Sequence, residues 1–190
     1  MKLTANTEKN LAVAEQYLAR GQFAEAEGRF DEILKSGPRN GRALTGKLLA
    51  QANATDIESL EQNGMQTIPD ISLAEKVLAC AEKKPAESVL RALCAEVPRC
   101  FDRGDAAHAK RIVSLVREFD DEAVENLRGE LYERGLRLIA TDEELAKYCL
   151  DSDLPYEEDD AYTQKLHTVV ETCIQNGAFS AAEYYADSLK

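Results

Sequence analysis

The sequence predicts an all-α protein, an irregular solenoid of antiparallel helix hairpins with roughly eight to ten helices. Three observations carry that prediction. Apolar residues recur at helical spacing along nearly the whole chain, and no alternating stretch is long enough for a strand. The composition holds 10 Gly, 5 Pro and no Trp in 190 residues, with aromatics at 6%. Ala-rich, aromatic-poor chains favour helix-on-helix packing over a β-sandwich. Finally, a helix–Gly–helix unit recurs around Gly21, Gly104 and Gly177, 83 and then 73 residues apart.

The clearest unit spans 7–40. Val13, Ala14, Tyr17 and Leu18 share one face of a first helix. Gly21 supplies the permissive backbone of a tight helix end. Phe23, Ala26, Phe30, Ile33 and Leu34 give the second helix its apolar stripe, and Ala14 and Ala26 allow close approach of the two. Gly37-Pro38 ends the unit, because proline lacks the N–H and disfavours helix in the residue before it.

This stretch resembles a tetratricopeptide repeat, a 34-residue helix–turn–helix. With Thr7 as its first position, Val13, Ala14, Tyr17, Ala26, Phe30 and Pro38 match the pattern. Asn10 and Ile33 depart from it, since the family prefers a large apolar residue and Ala there. The resemblance implies stacked helix pairs with a concave face that binds a peptide or protein segment. On that face the first two units would present Glu8, Leu11, Glu15, Arg42, Thr45 and Leu49. Some members grip a carboxyl-terminal peptide with Lys and Asn. Leu11 and Glu15 stand at the matching positions here, which argues against that ligand.

The remaining elements follow in order. A third helix starts after Asn40, a candidate N-cap, with Ala43, Leu44, Leu48 and Leu49 on its apolar side. Gly46 or Leu48 stands near its small-residue position. A short helix capped by Thr55 or Asp56 ends near Gly64, and MQTIPD is a connection broken by Pro69. Asp70 or Ser72 starts the next helix, whose stripe is Leu73, Val77, Leu78 and Ala81. Pro85 suits the first position of the following helix, and Pro98 is expected to kink or split it.

A degenerate helix–Gly–helix unit then covers 95–119, with Ala106, Ala109, Val113 and Val116 in the places of Phe23, Ala26, Phe30 and Ile33. The stretch after Asp120 is one long helix, or two broken near Gly129 or Gly135. Thr141 and Glu144 form a capping box for the next. A second degenerate unit covers 161–190, with Gly177, Phe179 and Ala182 in the places of Gly21, Phe23 and Ala26. The whole of 1–190 reads as a single domain.

Net charge is −12 with a pI near 4.7. That balance argues against binding nucleic acid or an anionic membrane. The N-terminus lacks the apolar run of a secretory signal, and no stretch approaches the ~18 apolar residues of a membrane span. The five scattered cysteines form no CxxC pair and read as small buried hydrophobes in a reducing compartment, which points to the cytoplasm.

Chemistry-bearing patterns are sparse. His108 falls on a polar helix side and His167 beside Leu166 and Val169 as a half-buried residue. Neither belongs to a nucleophile or metal motif. The run from Asp151 to Asp160 holds six acids in ten residues. It fails as a calcium loop, since Tyr156 occupies the position that needs Gly. It reads first as a solvated loop whose acids favour the positive N-terminus of the next helix, and second as a dock for a basic segment. The expected function is therefore a non-catalytic interaction module, a scaffold or adaptor, with no cofactor and no metal. The alternatives are a regulatory part of a larger protein, or a self-associating domain whose C-terminal helix pairs as a homodimer through Phe179, Tyr184, Tyr185 and Leu189.

Overall fold

A computed structural model of the chain describes residues 5–63, 65, 71–153 and 160–189. Eleven helices and no strand are found among them. The helices gather into two compact units, 1–123 and 124–190.

The first unit opens with α1 (Ala5–Ala19), α2 (Phe23–Ser36) and α3 (Gly41–Gln51). Leu11, Ala14, Ala26, Phe30 and Leu48 are fully buried among them. α1 packs on α2, α2 on α3, and α1 also on α3. Asn40 caps α3 as its sequence suggests, its side chain accepting from the Ala43 amide at 3.1 Å. The residue that allows close packing is Gly46. A Cβ there would stand 2.2 Å from the tip of the Phe30 ring, so the ring packs against bare backbone.

Next come α4 (Ile57–Asn63), α5 (Ser72–Cys80), α6 (Lys83–Asp102) and α7 (Ala106–Phe119). Asp56 caps α4, taking the Ser59 amide at 2.7 Å, and that hydrogen bond holds its carboxyl below the ordinary aspartate range. α5 packs on α3 and α6, α4 on α6, and α6 on α7. A Cβ on Gly41 would stand 2.3 Å from the Cys80 carbonyl oxygen. The C-terminal end of α5 therefore abuts the N-terminal end of α3. The first turn of α3 also lies along α1, where Arg42 bridges Glu8 and Glu15.

Several sequence expectations change here. α6 runs through Pro98 without a break. A proline removes one hydrogen bond, and Val89, Leu93, Val97 and Phe101 bury a stripe along that helix that outweighs the loss. α6 also begins at Lys83, so Pro85 lies third in a first turn whose amides have no helical partner anyway. Pro69 and Asp70 lie outside the described residues.

The boundary between the units falls in the first turn of α8 (Asp121–Leu138), a helix unbroken at Gly129 and Gly135. The second unit continues with α9 (Glu143–Asp153), α10 (Asp160–Gln175) and α11 (Phe179–Asp187). Tyr132, Leu150, Leu166, Val169, Cys173 and Tyr185 form its core. A Cβ on Gly135 would meet the Leu150 side chain at 2.7 Å, which brings α8 close to α9. Asp142 rather than Thr141 caps α9, accepting from the Leu145 amide at 3.0 Å. The Thr141 hydroxyl turns back to the Leu138 carbonyl, so no capping box forms there.

Four helices end the same way. Gly21, Gly104 and Gly177 have φ of +71°, +76° and +73°, and Asn53 has +53°. At each, the amide of the next residue bonds the carbonyl five residues back: Gln22 to Tyr17, Ala54 to Leu49, Asp105 to Cys100 and Ala178 to Cys173. This is the Schellman motif. The three glycines match the sequence expectation, and Asn53 adds a fourth turn, 32 residues after the first.

These contacts separate the glycines by replacement. Gly129→Ala adds a Cβ that meets nothing within 4 Å inside a helix, and should raise stability by about 0.5–1 kcal/mol. Gly46→Ala drives a Cβ into the Phe30 ring and should cost roughly 1–3 kcal/mol despite the same helical preference. Urea unfolding of the two variants beside the wild type checks both signs.

Candidate functional site

Glu8 and Glu15 stand two turns apart on α1, hence on one face. Arg42, in the first turn of α3, reaches both. Its Nη1 donates to Glu8 Oε2 at 2.9 Å, and its Nη2 to Glu15 Oε1 and Oε2 at 2.8 and 3.0 Å. The hydrogen bond to Glu15 is the main cause raising the guanidinium's pKa. All three side chains are between 43% and 48% exposed. At that exposure the triad adds little stability, well under about 2 kcal/mol in total. What it fixes is the position of a charged cluster with one net negative charge.

The other residues expected on this face lie deeper. Leu11 is 0% and Leu49 7% exposed, so both belong to the core. They follow the heptad-like spacing that brings Glu8 and Glu15 outward, yet their side chains turn into the α1–α2–α3 packing. Thr45 is half-buried one turn beyond Arg42, and its hydroxyl has no partner among the described residues.

A second concavity lies in the same unit, between the start of α5 and the length of α7. It is open to solvent and encloses about 390 Å³. Ile71, Ser72 and Glu75 form one side, and Lys110, Arg111, Ser114, Leu115 and Glu118 the other. Ile71 and Leu115 are 9% and 6% exposed and make an apolar floor. Lys110, Ser114 and Glu118 follow one another at four-residue steps and edge it with both signs of charge. Sequence reasoning missed this cleft. The stripe of α7 was legible, but nothing local says which helix its polar edge adjoins.

The remaining titratable groups serve structure. Glu96 is 0% exposed in α6. Its Oε1 accepts from Arg103 Nη2 at 2.6 Å, and its Oε2 from the Met65 amide at 3.3 Å, with Arg99 Nη1 3.5 Å away. It ties Met65 to α6. In the second unit the Tyr185 hydroxyl donates to Asp151 Oδ1 at 3.0 Å, and burial pushes that phenol upward.

His108 is half-buried and His167 exposed, the reverse of the sequence expectation. His167 falls on the outer side of α10, since Leu166 and Val169 turn inward there. No group of three or more His, Cys, Asp or Glu that could hold a metal occurs among the described residues. All five cysteines are free thiols, and Cys100, Cys149 and Cys173 are buried. Burial pushes Cys94 and Cys100 to about 11. No described helix is long and apolar enough to cross a membrane. The acids at 157–159 lie outside the described residues.

No protein-family model, curated protein or solved structure significantly matches the chain.

Removing one partner from a buried ion pair costs far more than from an exposed one. Glu96→Ala should lower stability by roughly 3 kcal/mol, and Arg42→Ala by less than about 1 kcal/mol. Chemical denaturation of both variants checks the order. The thiol of Cys94 gives a pH dependence. With its pKa raised to about 11, it is protonated at neutral pH, and its reactive thiolate grows about tenfold per pH unit below that value. Alkylation of native protein at Cys94, followed by peptide mass spectrometry from about pH 8 to 10, should show that slope.

Proposed function

We propose that the protein is a non-catalytic, tetratricopeptide-like interaction module whose first unit binds a peptide or protein segment. The observation that carries this reading is the α5–α7 cleft, an open concavity with an apolar floor and charged edges of both signs. Such a surface suits recognition of an extended or helical segment, in which one or two side chains reach the floor while polar groups set the register.

The repeat reading has its own support. α1 packs on α3 as well as on α2, as successive first helices of stacked pairs do. A second turn of the Gly21 kind follows 32 residues later at Asn53, close to one repeat length. The abutment of α5 on α3 at Gly41 departs from a regular stack, so the resemblance is strongest over 7–54. Glu8, Glu15 and Arg42 belong to this part. As a mutually paired cluster they offer a partner oriented charge without further ordering cost.

The test is selection of short peptides from a random display library on the wild-type protein, followed by affinity measurement on variants. Ser114→Arg places a bulky cation at the cleft's exposed edge, and Glu15→Lys breaks the α1–α3 triad. Selected peptides should weaken at least tenfold with Ser114→Arg. Loss with Glu15→Lys alone would move the binding face to α1 and α3. Equal affinity for both variants and the wild type, or no enriched peptide, would overturn the reading.

A further inference from the structure

We propose that the outer face of the α10–α11 hairpin docks a basic, amphipathic helical segment of another protein. Two large apolar side chains stand out at the turn between these helices. Ile174 is 54% and Phe179 69% exposed, one on each side of the positive-φ residue Gly177. In the hairpin around Gly21, the counterpart Phe23 is half-buried. The turn geometry is shared, so the exposure of Phe179 comes from what packs beside it, not from the turn.

Each of these side chains has a carboxylate one helical turn away. Glu171 precedes Ile174 by three residues, and Glu183 follows Phe179 by four. Both glutamates are exposed, and neither has a cationic partner among the described residues. The nearby lysines are occupied. Lys147 Nζ lies 3.4 Å from the ring centre of Tyr184, and Lys165 Nζ lies 5.0 Å from that of Tyr132. Residues 151–190 hold nine acidic and two basic side chains.

This pattern selects among occupants by charge. A second copy in a symmetric pair would bring the same acidic patch to both sides of the interface, and like charges across an interface are costly. Nucleic acid and anionic membranes are repelled for the same reason. A helix with an apolar stripe flanked by Lys or Arg meets both needs. Its stripe covers Ile174 and Phe179, and its cations face carboxylates that remain at the rim, where they steer encounter and orientation. The face belongs to the second unit and does not depend on the peptide cleft proposed in the first.

The probe is a fluorescein-labelled Leu/Lys helical peptide of about five turns with one apolar face. Two controls accompany it: the same peptide with Glu for Lys, and a scrambled order of the same composition. Binding to the full chain is read by anisotropy at about 0.15 M salt. The variants are Ile174→Ser with Phe179→Ser, Glu171→Lys with Glu183→Lys, and a charge-matched pair on α8, Glu130→Lys with Glu133→Lys. All six positions are exposed, and circular dichroism verifies the fold.

The amphipathic basic peptide should bind the wild type and the Glu130/Glu133 variant equally. It should bind the other two variants about tenfold more weakly, and both control peptides should bind about tenfold more weakly to the wild type. Equal loss in all charge variants, or equal binding of the scrambled peptide, would reduce the effect to general attraction by an acidic chain and overturn the proposal. No measurable binding also overturns it. So does a wild-type dimer in light scattering that Phe179→Ser dissociates, since a second copy would then cover the face.

Discussion

Four helix ends in this chain depend on the backbone entering the left-handed region at a single residue. There the helix stops where a residue can take positive φ at little cost and turn two orphan carbonyls toward the next two amides. Gly21, Asn53, Gly104 and Gly177 do this with the same hydrogen bonds. At the three glycines the reversal lays the following helix back on its predecessor, α2 on α1, α7 on α6 and α11 on α10, and Ala14, Ala26, Cys173 and Ala182 are buried in these hairpins. The stripes supply the energy of packing and the turns decide which stripes meet.

This division explains which parts of the architecture could be read from sequence. Turns that use glycine were legible, because Gly at a helix end has one dominant reason to be there. The Asn53 turn was not, since asparagine also caps helix starts, as Asn40 does one helix earlier. Local periodicity likewise located the helices well but misjudged Pro98. A proline's cost is fixed and local, while the apolar stripe that carries α6 across it is spread over five turns. At Thr141 the S/T-x-x-E spacing competed with a neighbouring Asp142 of equal capping strength, and the aspartate prevailed.

The candidate site was legible only in its charged half. Glu8, Glu15 and Arg42 share a face because of spacing within α1 and the repeat register between α1 and α3, both readable from residues alone. Leu11 and Leu49 carry the same register but the opposite chemistry, and apolar side chains beside a close helix pair turn inward. The α5–α7 cleft depends on helices some forty residues apart that both pack on α6. Sequence patterns are silent about such a pairing. Exposure is similarly relational: Phe23 and Phe179 hold equivalent places in their hairpins and differ only in their neighbours.

The contact at Gly41 also bears on how the first unit can move. With room for only a hydrogen between the start of α3 and the carbonyl of Cys80, the two helices touch backbone to backbone. Side chains between helices can change rotamer and let one element slide past the other; main chain cannot. Shear along this joint would drive one backbone into the next, so α3 and the end of α5 behave as a single rigid block. α5 lines the cleft beside α7, so that wall of the cleft is anchored at Gly41.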